Sequence, residues 1–328
     1  GDVYKRQRRQ GHQAYCWGYA TRKTLLTPVG NLTGLRVPRL RVDGREVRLI
    51  PRQVRRIRDF DDVLAKVTIG GLSQRRAGRW VGRGLGVGVS AATVGAVVGR
   101  LGEDIERLRG RTLRPDEFLA LVVDAIYGRY RGGGPAALLT ALGVRADGSF
   151  DVVDWEAGPS ESEAVAARLF TRLQRRGWQR PELAVADAAG GLAAAFELVF
   201  PTTVVQPCLW HWSRALGGHV ARACRRAFYR DFWEVYNGLD LTEVSDRAAR
   251  FRAHWRPLAG PVVALFEEGF PRSLAFMHYP VDWRHRLRTV NLAEGFFRNF
   301  RRFFNRFPGF ADEDHVARCL GLYLLAVR

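Results

Sequence analysis

Apolar positions in this chain change their period along its length, and each change marks a different kind of element. From Tyr15 to Val42 short apolar pairs alternate with turn residues (LLTPVGNLTGLRVPRLRV), the signature of two or three short β-strands. From residue 59 the period lengthens. Phe60, Val63, Leu64 and Val67 recur at helical spacing, and LSQRRAGRWVGRGL, opening at Leu72, reads as a second helix. Ser90-Ala91-Ala92-Thr93 then caps a third, whose Val94, Val97, Val98, Leu101 and Ile105 fall on one face. Helix, short turn and capped helix make a helix-turn-helix arrangement; three small amphipathic helices of no special purpose would show the same pattern.

Strand character returns at Glu117. Phe118–Tyr130, Ala136–Val144 and Phe150–Trp155 are apolar runs, and the Asp147-Gly148 pair between the last two is a hairpin signal, so the three are expected as an antiparallel meander. A helix (Ser160–Arg176), a strand (Leu183–Ala186), a helix opening behind Gly190-Gly191 (Leu192–Phe200) and a strand (Thr202–Gln206) follow. Meander first, then alternating helix and strand, is the element order of the ribonuclease H-like fold. The stretch from His211 to Arg288 is helical throughout and rich in Trp, Phe and Arg. The expected class is therefore α/β: a basic arm with short strands (1–57), a helix-turn-helix-like module (58–112), a mixed sheet supplied in two parts (113–210 and 289–328), and an all-α insertion between them (211–288).

Charge sharpens this division. The 328 residues carry a formal +19, and residues 1–110 hold 23 basic against 9 acidic side chains. A basic leading third ahead of a nearly balanced remainder suggests a polyanion-binding module before a catalytic or structural one. In that module Arg75, Arg76, Arg79 and Arg100 are placed to grip phosphates and Thr93 to touch a thymine methyl or a phosphate. The third helix carries no Arg, Asn or Gln where base edges would be read, which favours DNA binding over sequence-specific readout. No apolar stretch is long enough to span a bilayer, so no membrane partner is expected. Cys16, Cys208, Cys224 and Cys319 show no secreted-scaffold spacing, pointing to a reducing compartment. The opening GDVYKRQRRQ lacks Met and is expected to be a fragment edge or an artefact.

Three acids carry the candidate chemistry. Asp124 lies inside the apolar run LALVVDAIYGRYR, Asp187 ends ELAVADAAGG, and Glu294 sits in TVNLAEGFFRNFRRF. An ionised carboxylate in an apolar strand needs a cation or donors, and two strand acids with one helix acid suit a pair of magnesium ions held against a phosphodiester. Around Glu294, Phe296, Phe297, Phe300, Phe303, Phe304 and Phe307 form a core stripe, while Asn291, Glu294, Arg298, Arg301 and Asn305 share a second stripe. That second stripe is either a solvated Glu–Arg ladder or a metal-binding acid with Arg298 and Arg301 on phosphates beside it. Cys208 and His211 follow the last expected core strand; His219 and Cys224 would complete a zinc site only through unusual geometry, and His211 is either a packed histidine at a helix start or a group near the scissile phosphate suited to positioning or proton transfer.

The strings DAIYGRYR, PSESEAV, VADAAGGL, QPCLWH and TVNLAEGFFRNFR occur in the order found in bacterial Mutator-type insertion-sequence transposases, which this chain resembles from about Gly18 onward. It departs from their pattern at Ala188, Ala215 and Phe297. The resemblance implies that Asp124, Asp187 and Glu294 form a DDE triad on a ribonuclease H-like core, with His211 catalytic and Cys208 and Asn291 as accessory residues. It further implies two Mg2+ (or Mn2+) ions, terminal inverted repeats and target DNA as partners, a homodimer on DNA, and a place in the prokaryotic cytoplasm with the nucleoid. A ribonuclease H-like nuclease without strand transfer, and an inactive DNA-binding protein derived from a transposase, are the alternatives.

Overall fold

The computed structural model describes residues 14–27, 30–42, 45–48, 60–61, 64, 74–85, 88–114, 116–187, 190–290, 294–305, 307 and 309–327. The chain divides into two compact units, Gly1–Asp104 with Leu322–Arg328, and Ile105–Gly321.

In the first unit, β1 (Ala14–Thr27) and β2 (Gly30–Val42) form a long antiparallel hairpin to which β3 (Arg45–Arg48) adds a third strand. The turn residues that suggested several short strands are absorbed within long ones. Pro38 lies opposite Tyr19, beside the register shift between Cys16 and Tyr19, where a residue without an N–H is tolerated. Helix α1 (Gln74–Leu85) is followed by α2 (Ala91–Gly110), the latter capped by Ser90, whose Oγ accepts from Thr93 N–H at 3.1 Å. The helices approach closely because Gly78 has no side chain: a Cβ there would stand 2.7 Å from the Val89 carbonyl oxygen. Phe60, Leu64, Val94, Val97 and Ile105 are buried as their spacing requires, whereas Val98 and Leu101 are half-buried; Val63 and Val67 lie outside the described residues.

The second unit is built on a five-stranded mixed sheet of order β6-β5-β4-β7-β8. Strands β4 (Ala120–Arg129), β5 (Pro135–Val144) and β6 (Phe150–Gly158) form the expected antiparallel meander, turned at Gly148, which holds φ +81°. β7 (Leu183–Ala186) and β8 (Val204–Pro207) extend it in parallel with β4. On one face lie α3 (Glu163–Arg175), capped by the Ser162 hydroxyl, and α4 (Gly190–Val199). Leu169, Phe170, Phe196 and Phe200 bury there against Leu121, Val123, Leu139 and Ala141, each large side chain contributing about 1.5–3 kcal/mol.

After β8 the chain is helical to residue 288, as expected: α5 (Leu209–Gly218), α6 (Arg225–Val235), α7 (Leu241–Gly269), a 3-10 helix (Arg272–His278) and α8 (Val281–Leu287). Pro257 and Pro261 lie within α7, which breaks at Ala259. An aromatic cluster holds these helices together, with Trp212 stacked on Phe266 at 5.4 Å. Buried Gln206 ties their far end to the sheet, accepting from Phe276 N–H at 2.6 Å and donating to the Leu287 carbonyl at 2.8 Å. Helices α9 (Glu294–Phe304) and α10 (Glu313–Val327) follow. Phe297, Phe300, Phe303 and Phe304 are buried, and α9 sits close on β4 at Gly128, where a Cβ would be 2.7 Å from Phe304.

Candidate active site

The parallel pairing of the central strands brings the first two acids side by side. Val123 on β4 pairs with Ala186 on β7, and Ala186 pairs with Pro207 on β8. The next residues are Asp124, within β4, and Asp187 and Cys208, just past the ends of β7 and β8, so they follow the same rung at adjoining strands, with Cys208 N–H donating to the Ala186 carbonyl at 2.7 Å. Residues 63 apart in sequence thereby become neighbours.

Asp124 is half-buried in the sheet, with little hydrogen bonding to compensate it. Its Oδ1 accepts the N–H of Ala125 at 3.0 Å, and burial holds its carboxyl above the usual carboxylate range; the charges of His211 and Arg301 oppose this and Asp187 adds to it. Directly across the strand pair stands Thr140, fully buried, whose hydroxyl has no hydrogen-bond partner. His211, in the first turn of α5, places Nδ1 3.6 Å from Asp187 Oδ2, beyond hydrogen-bond length and enclosed by protein. Hydrogen bonding to Cys208 raises its pKa to about 9, with Asp187 and Asp124 adding to the rise and desolvation opposing it. His211 is thus an imidazolium at neutral pH, facing two carboxylates.

Two groups outside the expected set join this cluster. Tyr127, farther along β4, donates its hydroxyl to Glu161, which lies between β6 and α3. Burial raises the pKa of the Glu161 carboxyl, and Asp187 and Asp124 push it in the same direction. Glu161 occurs in the PSESEAV string, but its contact joins residues 34 apart, and periodicity does not report such pairs.

Glu294 is placed differently. It opens α9 as an exposed residue, immediately after three residues outside the described set, Asn291 among them. The charge that α9 brings to Asp124 is that of Arg301, two turns further along. Among the described residues, no three His, Cys, Asp or Glu side chains form a group able to hold a metal ion. The structure brings Asp124, Asp187, His211 and Cys208 together, and Glu294 opens α9 as an exposed residue.

A family model described as "Transposase, Mutator family" matches residues 2–327. The chain belongs to the Mutator family of transposases. Its curated relatives include the transposase for insertion sequence element ISRM5 of Rhizobium meliloti (strain 1021), 29% identical over 85% of this chain and 71% of that one. The transposase for IS406 of Burkholderia multivorans is 29% identical over 90% and 77%, and that for IS905 of Lactococcus lactis is 26% identical over 87% and 73%.

In this Mutator-family chain the residues expected at phosphates are unevenly placed. Arg75, Arg76 and Arg79 are exposed on α1, and Arg298 and Arg301 are exposed on α9. Arg100 reaches Asp61 at 2.5 Å, and the Thr93 hydroxyl lies 3.0 Å from Ser90 Oγ, so both are engaged within the protein. Trp80, 66% exposed, shares a face of α1 with Arg76, Arg79 and Arg83, opposite buried Ala77 and Val81. Sequence reasoning passed over it because a Trp at helical spacing reads as core. Among the described residues no helix is long and apolar enough to cross a membrane.

Proposed function

We propose that this chain is a DDE-type transposase on a ribonuclease H-like core, cutting DNA at element ends and joining the freed 3′-hydroxyl to target DNA. One observation carries the reading: in a Mutator-family chain, the parallel pairing of Val123 with Ala186 sets the residues that follow them, Asp124 within β4 and Asp187 just past β7, on adjoining strands. The residues present suit a hard divalent cation. They offer oxygen donors, one of them a half-buried carboxylate with a single backbone N–H bonded to it, across from the unpartnered Thr140 hydroxyl. Asp124 and Asp187 would hold Mg2+ or Mn2+, with Glu294 as the third acid of a two-ion site. Such ions, when bound, polarise the phosphodiester and make water or a 3′-hydroxyl nucleophilic at neutral pH.

The chain's own groups do the rest. His211, charged beside Asp187, offsets negative charge at the phosphate and supplies a proton to the departing 3′-oxygen. Arg301, near enough to Asp124 to act on its charge, and Arg298 hold the flanking phosphates. Residues 58–112 serve as the helix-turn-helix-like DNA-binding module and residues 211–288 as the insertion in the core. Arg75, Arg76 and Arg79 contact phosphates there, with Trp80 beside them as a stacking surface. A homodimer bridges the two ends.

The test is a strand-transfer reaction with a labelled, pre-cut 3′ end from the element's terminal repeat and a supercoiled target in Mg2+. Joined product is expected, abolished by chelation and reduced at least about 10³-fold in Asp124→Ala and Asp187→Ala. Cleavage without joining would instead make the protein a nuclease. Salt-sensitive DNA binding with neither reaction would make it a binding protein.

A further inference from the structure

Glu161 has no place in the expected triad, yet the fold fixes it beside two members of it. From one side it is held by the Tyr127 hydroxyl, three residues beyond Asp124 on the same strand. From the other it is held by backbone. Gly191, four residues after Asp187, packs directly on the Glu161–Glu163 turn, where a Cβ would stand 2.6 Å from the Glu161 carbonyl oxygen and 2.9 Å from Glu163 N. No side chain larger than hydrogen fits there without displacing that turn. The strand that carries Asp124 and the segment that follows Asp187 thus both bear on the same glutamate, and both aspartate charges are felt at its carboxyl.

Its distance from those acids restricts what it can do. Glu161 does not complete a three-residue chelating group with Asp124 and Asp187. Magnesium, however, keeps several of its waters when protein carboxylates bind it, and those waters need acceptors. Carboxylates one layer out from a metal orient what the metal binds, and their loss typically weakens metal affinity 10–100-fold. We propose that Glu161, braced by Tyr127 and Gly191, is a positioning residue that accepts hydrogen bonds from water on a divalent cation held by Asp124 and Asp187. The proposal rests on the metal-site reading above.

The test is Mn2+ titration of the full chain, followed by calorimetry, on wild type, Glu161→Gln, Glu161→Asp and Asp124→Asn. Metal-free melting is recorded alongside to establish that each variant is folded. Asp124→Asn is expected to lose Mn2+ binding at this site. Glu161→Gln should weaken it about tenfold without a fall in the metal-free melting temperature, and Glu161→Asp, which keeps the charge one methylene short, should recover part of that loss. If the Gln variant does not fold, the Asp variant carries the test, with weaker binding than wild type expected. Wild-type affinity in folded Glu161 variants, with binding lost in Asp124→Asn, would overturn the role of Glu161 and leave the metal site standing. Unchanged affinity in Asp124→Asn as well would overturn both.

Discussion

Two aspartates of the same sheet, buried Asp154 on β6 and half-buried Asp124 on β4, are held under opposite regimes. Asp154 is fully buried and fully answered. Arg109 Nε lies 3.2 Å from its Oδ1, Arg172 Nε 3.0 Å and Arg176 Nη1 3.3 Å from its Oδ2, and its Oδ1 accepts the Trp155 N–H at 2.7 Å. Cross-strand register sets the two acids on opposite faces, since Asp124 pairs with Thr140 and Asp154 with the next residue, Ala141. The Asp154 face meets α3, which supplies Arg172 and, at its C-cap, Arg176. Asp124 receives one short-range N–H and a raised pKa. A chain with 52 basic residues does not lack arginine to pair with it. Asp154 has its cations built in, whereas Asp124 has none within hydrogen-bond reach among the described residues and, on the function proposed above, takes one from outside.

That contrast can be broken at four points. The largest effect is expected in Asp154→Asn, which leaves three arginines around a neutral group and should lower stability by about 3–5 kcal/mol in urea unfolding. Next, saturating Mg2+ should stabilise wild type and not Asp124→Asn, by about 2.7 kcal/mol at one hundred times the dissociation constant, read from melting curves. For His211 the folded pKa, about 9, lies above its ordinary value. Its contribution is then complete below about pH 6.5 and lost as pH rises through 9. Metal-free wild type should therefore lose about 1–2 kcal/mol relative to His211→Gln between those limits, after discounting for the ring's partial exposure. The smallest effect has the opposite sign to the first. Because the Asp124 pKa is raised, ionising it costs stability that is intact below the unfolded carboxylate range and falls away above it. Metal-free Asp124→Asn should thus gain roughly 1 kcal/mol at neutral pH, a rise of a few degrees in melting temperature.

The sheet was legible because its strands are long apolar runs bounded by unambiguous turns, Asp147-Gly148 above all. That Asp124 and Asp187 would come to adjoining strands was legible from the element order, which sets the first strand of the meander beside the strand ending at Ala186. The β1–β2 hairpin was read as shorter pieces because Pro28, Gly30, Gly34 and Pro38 look like stops, although Gly34, at φ +65°, and Pro38 lie within a single strand. What stayed hidden depends on side chains meeting across distant elements. Asp154 sits in FDVVDWEAG without a hint that Arg109 lies 45 residues before it and Arg172 18 after. Tyr127 and Glu161 meet in the same way, and the exposure of Trp80 depends on which face of α1 the rest of its unit covers.

The rung shared by β4 and β7 carries a lesson about how such genes decay. Side chains alternate across a strand, so a single codon inserted upstream of Asp124 within β4 would rotate the carboxylate through the sheet toward α3 while leaving the apolar composition almost untouched. On the function proposed above, a copy damaged in this way would keep every diagnostic string and still be mute. For this architecture, counting residues between landmarks is a stricter audit of competence than finding the landmarks themselves.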